Sequence, residues 1–328
     1  MIRYICISLF SIACASASGS EPVSALQYLN KMASAIQTLN YHGTVVYLQN
    51  EQIESMKIVH KIGAQGETER VIYLSGEARE VIRTNDVVTC YFSDSQSVLV
   101  DKQRFKNYLI PSQIENYDDF ALNYVFLLDG EDRVAGKKAQ VVVINPKDRY
   151  RYGYKLWLDK SNWLLLKSEM RNAHGKIMEQ LMFIDVHVVE SIPENMLKPD
   201  IASEKFTWFN GELANGDETH RKMDGLGWHA NNLPSGYSIK DHYSQAIPGS
   251  NTPVEHMVIS DGLATVSVYI EPFSAESQTF VGASNMGATN IFGSILDDYH
   301  VTVVGVVPQP TVQIIANSIR HGKVAENH

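Results

Sequence analysis

Few side chains in this sequence are spaced for catalysis. Ser284 sits in Gly282-Ala283-Ser284-Asn285-Met286-Gly287, but the second glycine falls one residue too late for a nucleophile elbow, so the segment reads as a turn. Asp118-Asp119 and Glu131-Asp132 offer paired carboxylates without the alternating ligand spacing of a calcium loop, and they read as solvated helix ends and turns. Six of the eleven histidines follow Arg221: His229, His242, His256, His300, His321 and His328. Their spacings fit no common zinc pattern. There is no phosphate-binding glycine loop, no His-Glu-x-x-His and no cysteine pair. Met170, Met178 and Met182, with Leu164 and Leu166, are a different kind of grouping: flexible thioethers on strands, suited to core packing or to an apolar guest. The residues point to a binding protein, with no cofactor and no metal expected.

Composition narrows the partners. A formal net charge of −9 argues against nucleic acid or anionic lipid recognised by bulk electrostatics. Arg3, the apolar run Tyr4 to Cys14 and the small residues Ala15-Ser16-Ala17 read as an export signal over 1–17, cleaved after Ala17. The alternative is a lipoprotein signal acylated at Cys14, although Ser11 stands where a leucine is usual. Cleavage after Ala17 leaves Cys90 as the single cysteine, so no internal disulfide is expected and the fold must rest on its hydrophobic core.

The elements that would position these residues fall into two groups. Helical spacing of Leu26, Leu29, Met32, Ile36 and Leu39 predicts a helix over Glu21 to Asn40, capped by Ser20. From Gly43 the period becomes two, giving a meander of short strands to Val100. Pro111 to Leu128 reads as a second helix with Phe120, Tyr124 and Leu127 on one face. Tyr150 to Val188 then reads as three strands with apolar residues on both faces, and the second face needs a cover. Asn210-Gly211 and Asn215-Gly216 mark a linker within 204–224. Beyond it, strands at His256 to Ser260, Ala264 to Ile270, Ala288 to Ile295 and Val301 to Val307 precede a helix over Pro310 to Ile319. The expected domains are 21–203 and 225–322.

Several motifs in this order resemble the RseB/MucB family: Gly76-Glu77-Ala78-Arg79-Glu80-Val81, Tyr154-Lys155-Leu156-Trp157-Leu158-Asp159, Gly175-Lys176-Ile177-Met178-Glu179-Gln180, Leu233-Pro234-Ser235-Gly236-Tyr237, Ser260-Asp261-Gly262-Leu263, Gly287-Ala288-Thr289 and Val303-Val304-Gly305. The resemblance spans nearly the whole mature chain. It implies an α+β fold: a large curved antiparallel half-barrel with helices in its mouth, similar to the lipoprotein carriers LolA and LppX, then a smaller α/β domain. It also implies a function in the periplasm, where the family binds a single-pass membrane anti-sigma factor, RseA or MucA, and shields it from the protease DegS until lipopolysaccharide or lipoprotein acyl chains release it. Whether such a protein forms a homodimer stays open, and a lipid or lipoprotein carrier is the alternative reading. The hairpin at Gly282 to Ser294 has no Lys or Arg, and Val306 replaces an acidic residue common in the family. Arg79, Arg83, Arg149 and Arg151 therefore become the expected contacts to a partner or an anionic ligand. Phe120, Tyr124, Leu127, Leu164, Leu166, Met170, Met178 and Met182 are the expected apolar cleft.

Overall fold

The computed structural model describes residues 24–102, 117–210, 221–222, 227–245, 254–273 and 279–322. The export signal with its cleavage at Ala17 and residues 111–116, the first third of the segment expected as a second helix, lie outside them. The first helix, α1 (Ala25–Thr38), starts later than its spacing suggests, with the Ser24 hydroxyl accepting from the Gln27 N–H. It buries Ala25, Leu29, Met32 and Ala35, one stripe at helical period.

A meander follows: β1 (Asn40–Gln49), β2 (Gln52–Gly63), β3 (Gly66–Tyr73), β4 (Arg79–Thr84), β5 (Val87–Phe92) and β6 (Ser97–Lys102). Helix α2 (Tyr117–Asn123) leads directly into β7 (Tyr124–Val134), then β8 (Lys137–Pro146), β9 (Gly153–Asp159), β10 (Leu165–Arg171) and β11 (Ile177–Val189). All join one twelve-stranded sheet in the order β12-β6-β5-β4-β3-β2-β1-β11-β10-β9-β8-β7. Its last member, β12 (Thr207–Asn210), pairs in parallel with β6 and lies inside the stretch expected to be linker. The expected helix to Leu128 stops at Asn123. Tyr124 to Leu128 is an aromatic and branched run that pairs with Val142 to Pro146 instead, which leaves Leu127 exposed on an edge strand. The first of the three expected strands also starts late, at Gly153, because residues 147–152 bend away from the sheet.

The second apolar face has a simple cover. One parity of β8 and β9, Val142, Ile144, Leu156 and Leu158, packs with Leu165 under α1. The other parity, Val141 and Trp157, gathers with Leu166, Val134 and Ala139. Lys167 lies 4.3 Å and Lys155 5.3 Å from the Trp157 ring centre, and the indole N–H donates to Asp132 Oδ2 at 2.8 Å. The strands thus close their outer face with their own tryptophan and the lysines beside it.

The second unit is a seven-stranded sheet, antiparallel throughout: β13 (Arg221–Lys222), β15 (Ser238–Gln245), β16 (Val254–Ser260), β17 (Thr265–Pro272), β20 (Tyr299–Gly305), β19 (Thr289–Leu296) and β18 (Gly282–Met286) in spatial order. Helix α3 (Gln309–Ser318) buries Val312, Ile315 and Ala316 against it, and the pair β14 (Trp228–Ala230) and β21 (Ile319–His321) closes one end. Among the described residues an antiparallel sheet with a single helix makes this unit α+β rather than the expected α/β.

Replacing Trp157 with Ala removes the cover of the outer face and leaves a void in a packed cluster. Loss of about 3–5 kcal/mol of stability is expected, read as a lowered midpoint in thermal unfolding followed by circular dichroism.

Candidate functional site

The bend at 147–152 brings one charge to the boundary between the two units. Arg151 is almost fully buried, and its Nε lies 3.4 Å from Asp261 Oδ2 and 3.5 Å from Asp148 Oδ1. Its guanidinium carbon stands 4.9 Å from the Tyr237 ring centre and 5.3 Å from that of Tyr124, and Nη2 donates to the Ser235 carbonyl. Asp261 is equally enclosed. Its Oδ1 accepts the N–H groups of Leu263 and Ala264 at 2.9 and 2.7 Å, and Oδ2 accepts the Tyr124 hydroxyl at 2.8 Å. An isolated buried charge would be strongly disfavoured, so each group is held by the other and by its hydrogen bonds.

Backbone contacts extend the latch. The Tyr150 carbonyl accepts from Tyr237 OH at 3.1 Å and from Thr311 Oγ1 at 2.7 Å, so β14–β15 and α3 both reach one loop of the first unit. Tyr152 OH donates to the Ala288 carbonyl at 3.2 Å and accepts from Asn290 Nδ2 at 3.3 Å. Two glycines set the approach. Gly236 (φ +80°) and Gly262 (φ +94°) adopt left-handed backbone, and a Cβ there would come within 2.2 Å of the Asn123 side chain and 2.5 Å of the Phe120 ring. The turns Pro234-Ser235-Gly236-Tyr237 and Asp261-Gly262-Leu263 can press on the first unit because they carry no side chain at those points.

Two cavities stand out, the first of them beside this latch. One, of about 480 Å³, lies between the units, walled by Tyr47, Tyr154, Met170 and Glu179 on one side and by Gly262 to Thr265, Thr289 and Val306 on the other. A second, of about 390 Å³, lies within the first unit between α1 and the strands around β1, lined by Ile36, Met56, Ile58, Val71, Leu164, Leu165 and Phe183, with His60, Glu67 and Glu69 on its wall. Both volumes fall in the range of ligand sites, about 300–1,000 Å³. Tyr47 and Leu181 line both. Burial and the Glu179 carboxylate keep the Tyr47 phenol above its ordinary range, and Gln49 Nε2 donates to the same carboxylate at 3.0 Å.

The residues expected in one apolar cleft are distributed over several places. Leu164 lines the inner cavity, Met170 lines the cavity between units, and Met178 packs with Tyr152, Met170 and Ala288. Leu166 and Met182 share with Leu164 the cluster that includes Trp157, while Phe120 and Tyr124 pack against α1 beside the latch. Leu127 is exposed on β7. Alternating parity had put the leucines and methionines on one face, but register shifts at Leu165/Lys167 and Met170/Arg171 break it. The arginines also separate. Arg151 serves the domain boundary and Arg83 is paired with Glu67 at 2.7 Å, so burial withdraws both from an outside partner. Arg79 stacks 3.6 Å from the Tyr73 ring centre and remains partly exposed; Arg149 is exposed. Cys90 is a half-buried free thiol whose pKa burial raises, so it stays protonated.

Asp261, Ser235, Tyr237, Ala288, Asn290 and Thr311 were not expected as site residues. For the first four the signal is in the sequence, within the motifs Leu233-Pro234-Ser235-Gly236-Tyr237, Ser260-Asp261-Gly262-Leu263 and Gly287-Ala288-Thr289, while Asn290 and Thr311 lie in none of them.

Comparison with known proteins follows the same two-part division. The family model for the MucB/RseB N-terminal domain matches residues 24–201, and that for the MucB/RseB C-terminal domain matches 222–320. The sigma factor AlgU regulatory protein MucB of Pseudomonas aeruginosa is 30% identical over 315 residues, covering 94% of each chain. The sigma-E factor regulatory protein RseB of Haemophilus influenzae is 24% identical over 326 residues, covering 97% of this chain and 98% of the other. Among solved structures, the P. aeruginosa MucA/MucB complex matches with a TM-score of 0.70 at 29% identity, covering 92% of this chain and 99% of that one. A crystal structure of MucB with MucA(peri) matches with a TM-score of 0.69 at 28% identity, covering 92% and 100%.

Asp261→Asn keeps the shape and the Oδ1 acceptor but removes the charge opposite Arg151. A cost of about 3–5 kcal/mol is expected for leaving the guanidinium uncompensated, and scanning calorimetry should show the single unfolding transition of the parent splitting in two. A pH effect is also expected. Burial, then the Asp261 charge, hold the Tyr124 and Tyr237 phenols well above their ordinary pKa, and burial does the same for Tyr154. Raised folded-state values leave stability unaffected below the unfolded pKa of about 10. Above it the unfolded chain ionises first, so stability falls by up to about 1.4 kcal/mol per pH unit per phenol. Absorbance of tyrosinate near the alkaline midpoint should therefore rise together with unfolding, and Tyr124→Phe should make the fall shallower.

Proposed function

Because the chain belongs to the MucB/RseB family, we propose that it is a periplasmic regulator of an envelope-stress sigma factor, acting through the periplasmic part of a membrane-spanning anti-sigma factor. The observation that carries this reading is the match of both units, in order, to MucB as solved in complex with MucA. In this reading 1–17 is the export signal, 21–203 the ligand-binding domain, 204–224 the linker and 225–322 the second domain. While the anti-sigma segment is held, a DegS-type protease does not reach it.

The finer part of the reading concerns release. The large sheet acts as a half-barrel whose inner cavity takes an acyl chain of lipopolysaccharide or of a lipoprotein, supported by the apolar walls around Ile58, Val71, Leu164 and Phe183. Tyr47 and Leu181 give such a guest a mechanical connection, since both also wall the cavity between the units. A guest shifts the equilibrium only by the difference between its affinities for the holding and released states, so it must fit better when these walls move. Arg79 and Arg149 are the surface cations that remain for contacts with the partner. A lipid carrier would use the same inner cavity, and the second unit with its buried latch is what favours a regulator.

The test mixes purified mature protein with the anti-sigma periplasmic segment and DegS. Cleavage should slow in its presence and recover when a fatty-acyl probe is added. Val71→Trp, which fills the inner cavity, should weaken acyl binding by at least about tenfold while protection persists and becomes insensitive to the probe. Unchanged cleavage in the presence of the parent protein would overturn the regulator; acyl binding equal in Val71→Trp would overturn the assigned cavity.

A further inference from the structure

The wall of the inner cavity carries one group of ligand-type atoms, on His60, Glu67 and Glu69, which all lie within 4.8 Å of one another. The strand pairing makes this so: His60 on β2 stands opposite Glu69 on β3, and Glu67 is two residues earlier on the same face. His60 is only 1% exposed and its ring stacks on Tyr41, centroids 4.7 Å apart and planes 19° apart, so the imidazole has a fixed orientation.

The protons follow from the neighbours. His60 Nδ1 is 3.0 Å from the Leu39 carbonyl oxygen, which can only accept, so Nδ1 carries a hydrogen. Nε2 then points at Glu67 Oε1, 3.2 Å away. A neutral ring would aim a lone pair at a carboxylate there, and the contact requires a positive species between the two atoms. That species is a second proton or a metal ion. A histidine whose Nδ1–H is anchored on a backbone carbonyl while Nε2 faces carboxylates has the outer-shell support typical of metal ligands. Arg83 Nη2 lies 2.7 Å from Glu67 Oε1 and 3.7 Å from Glu69 Oε1, beside the same carboxylates.

We propose that His60 Nε2 and the carboxylates of Glu67 and Glu69 bind a divalent transition-metal ion of the zinc class, with its remaining coordination positions open to the cavity. One imidazole and two carboxylates suit zinc, manganese or iron(II) and lack the soft sulfur donors that select copper(I). Arg83 competes with the ion for the same carboxylates. The assignment does not depend on the regulatory reading, because it rests on the strand geometry alone.

The experiment titrates the purified mature protein with Zn²⁺ against a chromophoric chelator at neutral pH. One tight equivalent is expected. Glu69→Gln keeps the size of a side chain that is 24% exposed and should fold; it and His60→Gln should each weaken that equivalent by at least about tenfold. The stacked surface pair His42 and His187, centroids 5.2 Å apart, is the control, and His187→Ala should leave the tight equivalent unchanged. Absence of a tight equivalent, or one unaffected by Glu69→Gln in a protein with parental circular dichroism, would overturn the site.

Discussion

The buried pair Arg151 and Asp261 is the constraint around which the two units are arranged. Removing either charge from water is costly, and the attraction between them together with the hydrogen bonds each makes offsets that cost. Here Asp261 is engaged by Leu263, Ala264 and Tyr124, while Arg151 lies between two tyrosine rings and donates from Nη2 to Ser235, its Nε facing carboxylates without a hydrogen bond of its own. Because one member comes from each unit, neither domain keeps its buried charge compensated alone. The glycine turns, the bend at 147–152 and the hydroxyls that converge on the Tyr150 carbonyl all follow from bringing these two residues together.

The latch also borders the cavity between the units. Loop residues that hold Asp261 go on to wall the space between the units, and Tyr47 and Leu181 separate that space from the apolar cavity inside the large sheet. In the proposed reading, a guest that displaces Tyr47 or Leu181 from inside the large sheet also reshapes the wall of the space between the units. Coupling of this kind needs no long pathway, since a single wall is common to both sites.

Much of this architecture is legible in the sequence, and the failures have identifiable causes. In the second unit β16, β17, β19, β20 and α3 agree with their patterning, whereas β13, β14, β15, β18 and β21 carry too weak a pattern to be read. Phe120, Tyr124 and Leu127 mimic helical spacing, yet Tyr124 to Leu128 is strand because β8 offers it a partner, a tertiary fact that no local pattern contains. Tyr150 and Tyr152 continue the alternation of β9 but serve the domain boundary from a bend. Arg151 reads as a surface cation because its partner is 110 positions away. The motifs that carry the family resemblance are the clearest lesson: Ser235, Tyr237, Asp261, Gly262 and Ala288 fall on the domain boundary, so what looked like unplaced turns were the contacts that fix the two units together.

The central claim is that occupancy of the inner cavity loosens this boundary. It is tested most directly by hydrogen exchange at the Leu263 and Ala264 amides, whose hydrogens are held by Asp261 Oδ1. Saturation with a fatty-acyl guest should speed their exchange by about tenfold or more, with amides in the core of β8 and β9 unchanged. Exchange at Leu263 and Ala264 that is the same with and without bound guest would contradict the account.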